Sequence, residues 1–356
     1  MDTIYDVIII GSGPAGLTAA IYTTRAGLKT LIIAGAKWGG QLQLTSEVEN
    51  FPGFPEGILG PDLMSNMRKQ AEHHGAEIVD VNFTRLHLPS AKADGGQVEG
   101  DDNDRLFTAE TPEKKYQGRS IIIATGADTK WLGVKGEMER VGRGISTCAP
   151  CDGPFFRNKN IIVVGGGDSA MEEAIVMTKY AAHVTLIHRG DAFRASQIMQ
   201  DKVFANEKIT VLFNTVIEEI LGENKVQSVK LKSPLSVIPN SLRDLPENTE
   251  MLKQVQHDNE NVTWEMPIDG IFVAIGHIPN TKVFSAQGGS TSGGNGIELD
   301  EKGFIKVRDH FHTNIEGVFT AGDVHDKQYK QAITAAGFGC AAALEAEKWL
   351  DLQKTS

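Results

Sequence analysis

Only three cysteines occur in 356 residues, too few and too unevenly placed for a disulfide framework, which excludes the stapled scaffolds of small secreted domains. No stretch approaches the ~18–20 consecutive apolar residues of a membrane helix, so no membrane partner is expected. Positive charge is also short. The chain has 35 basic against 46 acidic residues, a formal net charge of −11, and nucleic acid and anionic membranes are both bound through basic patches. Neither is an expected partner. The opening MDTIYDVIII holds two aspartates where an export signal needs positive charge, so a cytoplasmic protein is expected. At 40% hydrophobic and 23% charged residues the chain is neither mainly disordered nor collagen-like. Its length predicts two domains at roughly 150 residues each.

The run from Tyr5 to Ile10 reads as a buried parallel strand that feeds Gly11-Ser12-Gly13-Pro14-Ala15-Gly16 and then a helical stretch from Leu17 to Ala26. In such a turn the first glycine makes the bend. The second lets backbone approach a pyrophosphate, and the third lets helix and strand pack closely. The helix N-terminus then holds the phosphates. The matching second strand, Lys29 to Ala34, ends in Ala34-Gly35-Ala36, without the acid that usually binds a ribose.

A second start of the same kind follows. Asn160 to Val164 leads into Gly165-Gly166-Gly167-Asp168-Ser169-Ala170 and a helical pattern to about Tyr180. The next strand, His183 to His188, ends in His188-Arg189 with Arg194 close behind, where arginine accommodates a 2′-phosphate. NADP is therefore favoured over NAD.

Near the C-terminus, Gly317 to Asp323 reads as a strand ending in Gly322-Asp323, followed by a helix from about Gln331 to Leu350. A strand's carboxyl end is where open α/β sheets bind ligands. Paired with the N-terminal fingerprint, it predicts one FAD domain assembled from both ends of the chain. The segments 119–126 and 270–276 are the expected crossings to an inserted middle domain.

Cys148-Ala149-Pro150-Cys151-Asp152-Gly153 concentrates the chemistry. Two cysteines at this spacing can close a small disulfide, and such motifs commonly hold a thiol of lowered pKa that attacks another disulfide. Zinc is the rival reading. A structural zinc needs four ligands, and neither a second pair of cysteines nor suitably spaced histidines exist here, so redox chemistry is favoured. Asp152 can serve as the proton donor and acceptor that thiolate leaving groups require.

These motifs, in this order, resemble the low-molecular-weight thioredoxin reductases of the bacterial, fungal and plant type, class II of the pyridine nucleotide-disulfide oxidoreductases. The resemblance rests on Gly11 to Gly16, Gly39-Gly40-Gln41-Leu42, Glu47 to Gly53, Ala124-Thr125-Gly126, Cys148 to Gly153, Gly165 to Ala170, His188-Arg189, Ala274 to His277, and Ala321-Gly322-Asp323 through Gln331-Ala332. It implies an α/β fold of two Rossmann-like, three-layer ββα nucleotide-binding domains. The NADPH domain (127–276, carrying the dithiol) is inserted in the FAD domain (1–126 and 277–356).

The resemblance further implies that NADPH reduces FAD, FAD reduces the Cys148/Cys151 pair, and the dithiol reduces thioredoxin or a thioredoxin-like protein. Cys151 is then the thiol facing the flavin, Cys148 the interchange thiol and Asp152 the acid/base catalyst. Gln41, Asn50, Asp323, Lys330, Gln331 and Ala332 join the glycine turn at the FAD site. Gly165, Gly167, Asp168, Ser169, Ala170, His188, Arg189 and Arg194 form the NADPH site. The family also implies a homodimer.

Departures from the family pattern carry expectations of their own. Gly190 replaces an arginine, which weakens the preference for NADPH. Lys330 replaces an arginine, keeping the charge and losing the bidentate fork, and Pro150 stiffens the loop between the cysteines. The stretch from about 233 to 261 reads as a surface insertion, the runs 94–104 and 287–296 as solvated turns, and Cys340 as a buried packing cysteine. A flavin-dependent dithiol oxidase or a non-catalytic redox-sensing flavoprotein are the alternatives. The oxidase has no use for a second glycine fingerprint with arginines.

Overall fold

The β-branched run Ile4–Ile10 forms the middle of a parallel sheet, with Val7 to Ile10 paired to Thr30–Ile33 on one side and to Ser120 to Ile123 on the other. Strand geometry sends alternate side chains to opposite faces. Val7 and Ile9 therefore enter one core with Ile32, Ile122 and Phe319, while Ile8 and Ile10 enter another with Leu31, Ile33, Ile121 and Ile123. Both faces are covered along Val7 to Ile10, which is why that part of the strand is apolar throughout. The computed structural model describes residues 3–45, 47–89, 106–234, 256–257, 260–284 and 296–355.

The chain divides into two compact units, 1–128 with 278–356, and 129–277. In the first, the strand order is Glu77–Val79, Thr30–Ile33, Ile4–Ile10, Lys115–Ile123, Phe107–Glu110 and Arg85–His87, with Val318–Thr320 also parallel to Lys115–Ile123. The last two strands of that order pair antiparallel. The helices Pro14–Arg25 and Ala332–Thr355 pack together through small residues, Ala19, Ala20, Ala342, Ala343 and Ala346 among them. Cys340 lies on the second of these helices. It is half-buried, not fully buried as expected, and lies close to the Tyr22 hydroxyl.

In the second unit five parallel strands run in the order Ile145–Ser146, Gly270–Val273, Asn160–Val164, His183–Ile187 and Ile209–Leu212. A separate antiparallel sheet joins Val216–Leu221, Ser228–Pro234, Asn261–Pro267 and Gln256–His257. This corrects the expected insertion at its edges. Ser233 and Pro234 pair with Val262 and Asn261 as strand, and Gln256 and His257 pair with Thr263 and Val262. Residues 235–255 and the runs 94–104 and 287–295 lie outside the described residues. The segments expected as crossings each begin in a strand of their own unit's sheet, and the chain changes unit just after them. Among the described residues no helix is long and apolar enough to cross a membrane.

Candidate active site

Cys148 and Cys151 are joined by a disulfide, with their Cα atoms 5.3 Å apart. Pro150 has no N–H to lose and a φ suited to the first turn of a helix, and the one-turn helix Ala149–Asp152 begins there with Cys148 as its N-cap. The Cys148 carbonyl accepts the N–H of Cys151 at 3.2 Å and of Asp152 at 3.0 Å. The Ala149 N–H is donated to the Glu173 carboxylate, which ties the turn to the helix Asp168–Met177.

Ser146 holds the other side of the turn. Its buried hydroxyl oxygen accepts the Cys148 N–H at 3.1 Å, and the same hydroxyl lies near enough to the Asp152 carboxyl to influence it. Burial raises the proton affinity of Asp152 above the ordinary carboxylate range, and the Ser146 hydroxyl works against that rise. A carboxyl of raised proton affinity next in sequence to a disulfide is suited to supply and recover the proton of a thiolate leaving group.

The first unit holds a cavity of about 450 Å³. Gly11, Gly13, Pro14 and Ala15 line it, with Gln41, Ala124, Thr125, Gly126, Gly322, Asp323, Lys330, Gln331 and Ala332. Gly16 is not at the cavity wall. A Cβ there would lie 2.0 Å from the Gly11 carbonyl oxygen, so this glycine serves the close packing of helix on turn. At Gly13 nothing lies within 4 Å of where a Cβ would be, which leaves backbone open to a phosphate. Asn50 is also off the wall and reaches it through Gln331, donating from Nδ2 to Oε1 at 3.4 Å.

The sequence reading missed Ser12, Lys37, Trp38, Asp128 and Asn280, all of which line the cavity. Ser12 donates its hydroxyl to the Ala34 carbonyl at 2.7 Å and accepts the Gly39 N–H at 3.0 Å. It stitches the glycine turn to the strand end that lacks the usual acid. Asp128 accepts Gln41 Nε2 at 2.8 Å. These positions carry no apolar period, and the serine inside the fingerprint was their only local signal.

Asp323 gives the test of what the cavity suits. Its Oδ1 is enclosed and has no hydrogen-bond partner among the described residues. Burial, aided by the nearby Asp326 charge, pushes its carboxyl up to about 6. A buried acceptor left unmatched is costly, and a ligand hydroxyl would satisfy it. With the open glycine turn, the residues fit a dinucleotide that offers both phosphates and hydroxyls. Asp326 itself is satisfied, accepting the N–H groups of Gln328, Tyr329 and Lys330 at 2.8, 3.0 and 2.9 Å. That turns the chain so that Lys330 and Gln331 reach the cavity.

In the second unit Gly165, Gly166 and Gly167 link the strand Asn160–Val164 to the helix Asp168–Met177. A Cβ at Gly166 would fall 2.3 Å from the His188 ring, so the imidazole is seated directly against the turn. Burial chiefly lowers the His188 pKa, and the charges of Arg194 and Arg189 lower it further. The two guanidinium groups near the ring suit an anion. Ala170 is buried, Ser169 is exposed in the first helical turn, and Asp168 Oδ1 accepts both the N–H and the hydroxyl of Ser196, at 2.9 and 2.7 Å.

Residues 5–339 match the pyridine nucleotide-disulphide oxidoreductase family. Thioredoxin reductase of Mycolicibacterium smegmatis is 46% identical over 349 residues, covering 98% of this chain and 97% of that protein. That of Rickettsia conorii is 45% identical over 346 residues, 97% and 98% of the two chains. The solved thioredoxin reductase of Streptococcus pyogenes superimposes with a TM-score of 0.79 at 34% identity, covering 99% and 100%. That of Giardia duodenalis gives 0.80 at 36%, covering 98% and 100%. A disulfide on a one-turn helix, two glycine-turn sites and relatedness over nearly the full length lead to one conclusion: the chain belongs to the pyridine nucleotide-disulphide oxidoreductase family and, within it, to the thioredoxin reductases.

Proposed function

We propose that this chain passes two electrons from NADPH through FAD to the Cys148–Cys151 disulfide, and from the resulting dithiol to the disulfide of thioredoxin or a thioredoxin-like protein. The observation that carries this reading is the Cys148–Cys151 disulfide, followed immediately by a half-buried carboxyl of raised proton affinity. The cavity of the first unit is assigned to FAD, through its glycine turn, Asp323, Lys330 and Gln331. The second unit is assigned to NADPH, through Gly165 to Gly167, His188, Arg189 and Arg194. Bound together, these groups supply hydride transfer and a two-electron relay.

The remaining chemistry belongs to the chain. Reduction breaks the S–S bond and leaves two thiols. Cys148, as thiolate, attacks one sulfur of the partner's disulfide and displaces the other as a thiolate, which takes up a proton. Cys151 then attacks Cys148 Sγ, re-forming the internal disulfide and releasing the second partner sulfur as a thiol. Asp152 supplies a proton to a departing thiolate and accepts one in return. The two protons and two electrons end on the partner. The protein is assigned to the cytoplasm, as a homodimer.

Anaerobic assay of the purified protein tests the reading. It should be yellow with about one FAD per chain and should reduce thioredoxin disulfide at the expense of NADPH. A folded, colourless protein that takes up no FAD would overturn it.

A further inference from the structure

The segment from His188 to Ser196, which carries both arginines, is tied down at each end. At its start the Thr215 and Asn214 N–H groups are donated to the carbonyls of His188 and Gly190 at 3.1 and 2.9 Å. At its end the Arg194 N–H is donated to the Gly166 carbonyl at 2.7 Å. Two residues later the N–H and hydroxyl of Ser196 both meet Asp168 Oδ1. Ser196 is the N-cap of the helix Gln197–Phe204, so Asp168 fixes that helix start to the first residue of its own helix. Arg194 is thereby tied to the glycine turn directly and lies two residues before a second tie at the helix start, while the residues on either side of Arg189 are tied to Thr215 and Asn214.

We propose that Asp168 is a positioning residue that determines cofactor specificity: by clamping Ser196 it presents Arg194 at the glycine turn and so favours a nicotinamide dinucleotide bearing a 2′-phosphate. This rests on the assignment of Arg189 and Arg194 to that phosphate. Charge alone predicts the opposite sign. A carboxylate beside an anion site repels phosphate, so its removal should strengthen phosphate binding. A guanidinium on a long side chain recognises phosphate best when its backbone is fixed beforehand.

The test is kcat/KM for NADPH and NADH, together with calorimetric dissociation constants for NADP⁺ and NAD⁺ whose ratio should move in the same sense, for the parent and four variants. Asp168→Ala should lower the NADPH/NADH ratio by roughly threefold or more, mainly through the KM for NADPH. Asp168→Asn keeps an oxygen that can accept both Ser196 bonds and should hold the ratio at or above the parent's. Ser196→Ala, which loses one of the two bonds, should fall between Asp168→Ala and the parent, and it keeps the test alive if Asp168→Ala folds poorly. A ratio that rises equally in Asp168→Ala and Asp168→Asn, or that stays put in Asp168→Ala and Ser196→Ala, overturns the clamp. Arg194→Ala separates the two failures. If it lowers the ratio while Asp168→Ala does not, only the clamp is wrong; if it leaves the ratio unchanged, the phosphate assignment falls and the clamp with it.

Discussion

Asp152 donates its backbone N–H to the Cys148 carbonyl at 3.0 Å, and the Ser146 hydroxyl that accepts the Cys148 N–H lies close to the Asp152 carboxyl. These contacts place the carboxyl at the cysteine turn. Asp152→Asn keeps the fold of that turn and removes the exchangeable proton. Disulfide reduction should slow by roughly 10²-fold, while reduction of the flavin by NADPH, followed by stopped-flow absorbance, stays near the parent rate.

Ser146 sets the pH at which that proton is held. Its hydroxyl opposes the rise that burial causes, so Ser146→Ala should move the Asp152 titration upward. The limb of the kcat/KM profile for the disulfide substrate that reports Asp152 should then move to higher pH. Ser146→Thr, which keeps a hydroxyl, should leave that limb near the parent position. An unmoved limb in Ser146→Ala would remove the serine from the acid/base account.

Asp323 gives a stability prediction with a definite sign. Its carboxyl rises from 3.8 to about 6 in the folded chain. The folded state thus binds the proton more tightly, and the stability this contributes is complete below pH 3.8 and lost as pH rises through about 6. At pH 7 the enclosed charge costs on the order of 3 kcal/mol. Asp323→Asn should raise the urea midpoint of the flavin-free chain at pH 7 and flatten its dependence between about pH 4 and 6. Asp323→Ala should lose FAD more readily on dialysis than the parent.

Gly166 is confined by contact. A Cβ there must displace the His188 ring or the turn, because the two would meet at 2.3 Å. Gly166→Ala should therefore weaken NADPH binding by tenfold or more on the scale of an overpacked, shifted site, measured as KM, with FAD content unchanged.

Much of the fold was legible because apolar β-branched runs can be satisfied only between covered faces, as at Ile4–Ile10 and Asn160–Val164. The alternation at Val262, Trp264 and Met266, all buried, is a strand signal that the sequence reading did not use. The strands at Ser233–Pro234 and Gln256–His257 were not legible, because their own side chains carry no pattern and their pairing comes from the strand Asn261–Pro267. At the sites, glycine turns and the cysteine pair were readable from spacing, and Ser12 was marked only by its place inside the first glycine turn. The roles of Ser146 and Ser196 were not readable, since each acts through partners that only folding brings near, Cys148 and Asp168.

The electron path is tested most directly by Cys151→Ser in a single anaerobic experiment that follows flavin absorbance and thioredoxin reduction together. NADPH should bleach the flavin as it does in the parent, while thioredoxin disulfide stays oxidised. Thioredoxin reduction at the parent rate in this variant would contradict the account.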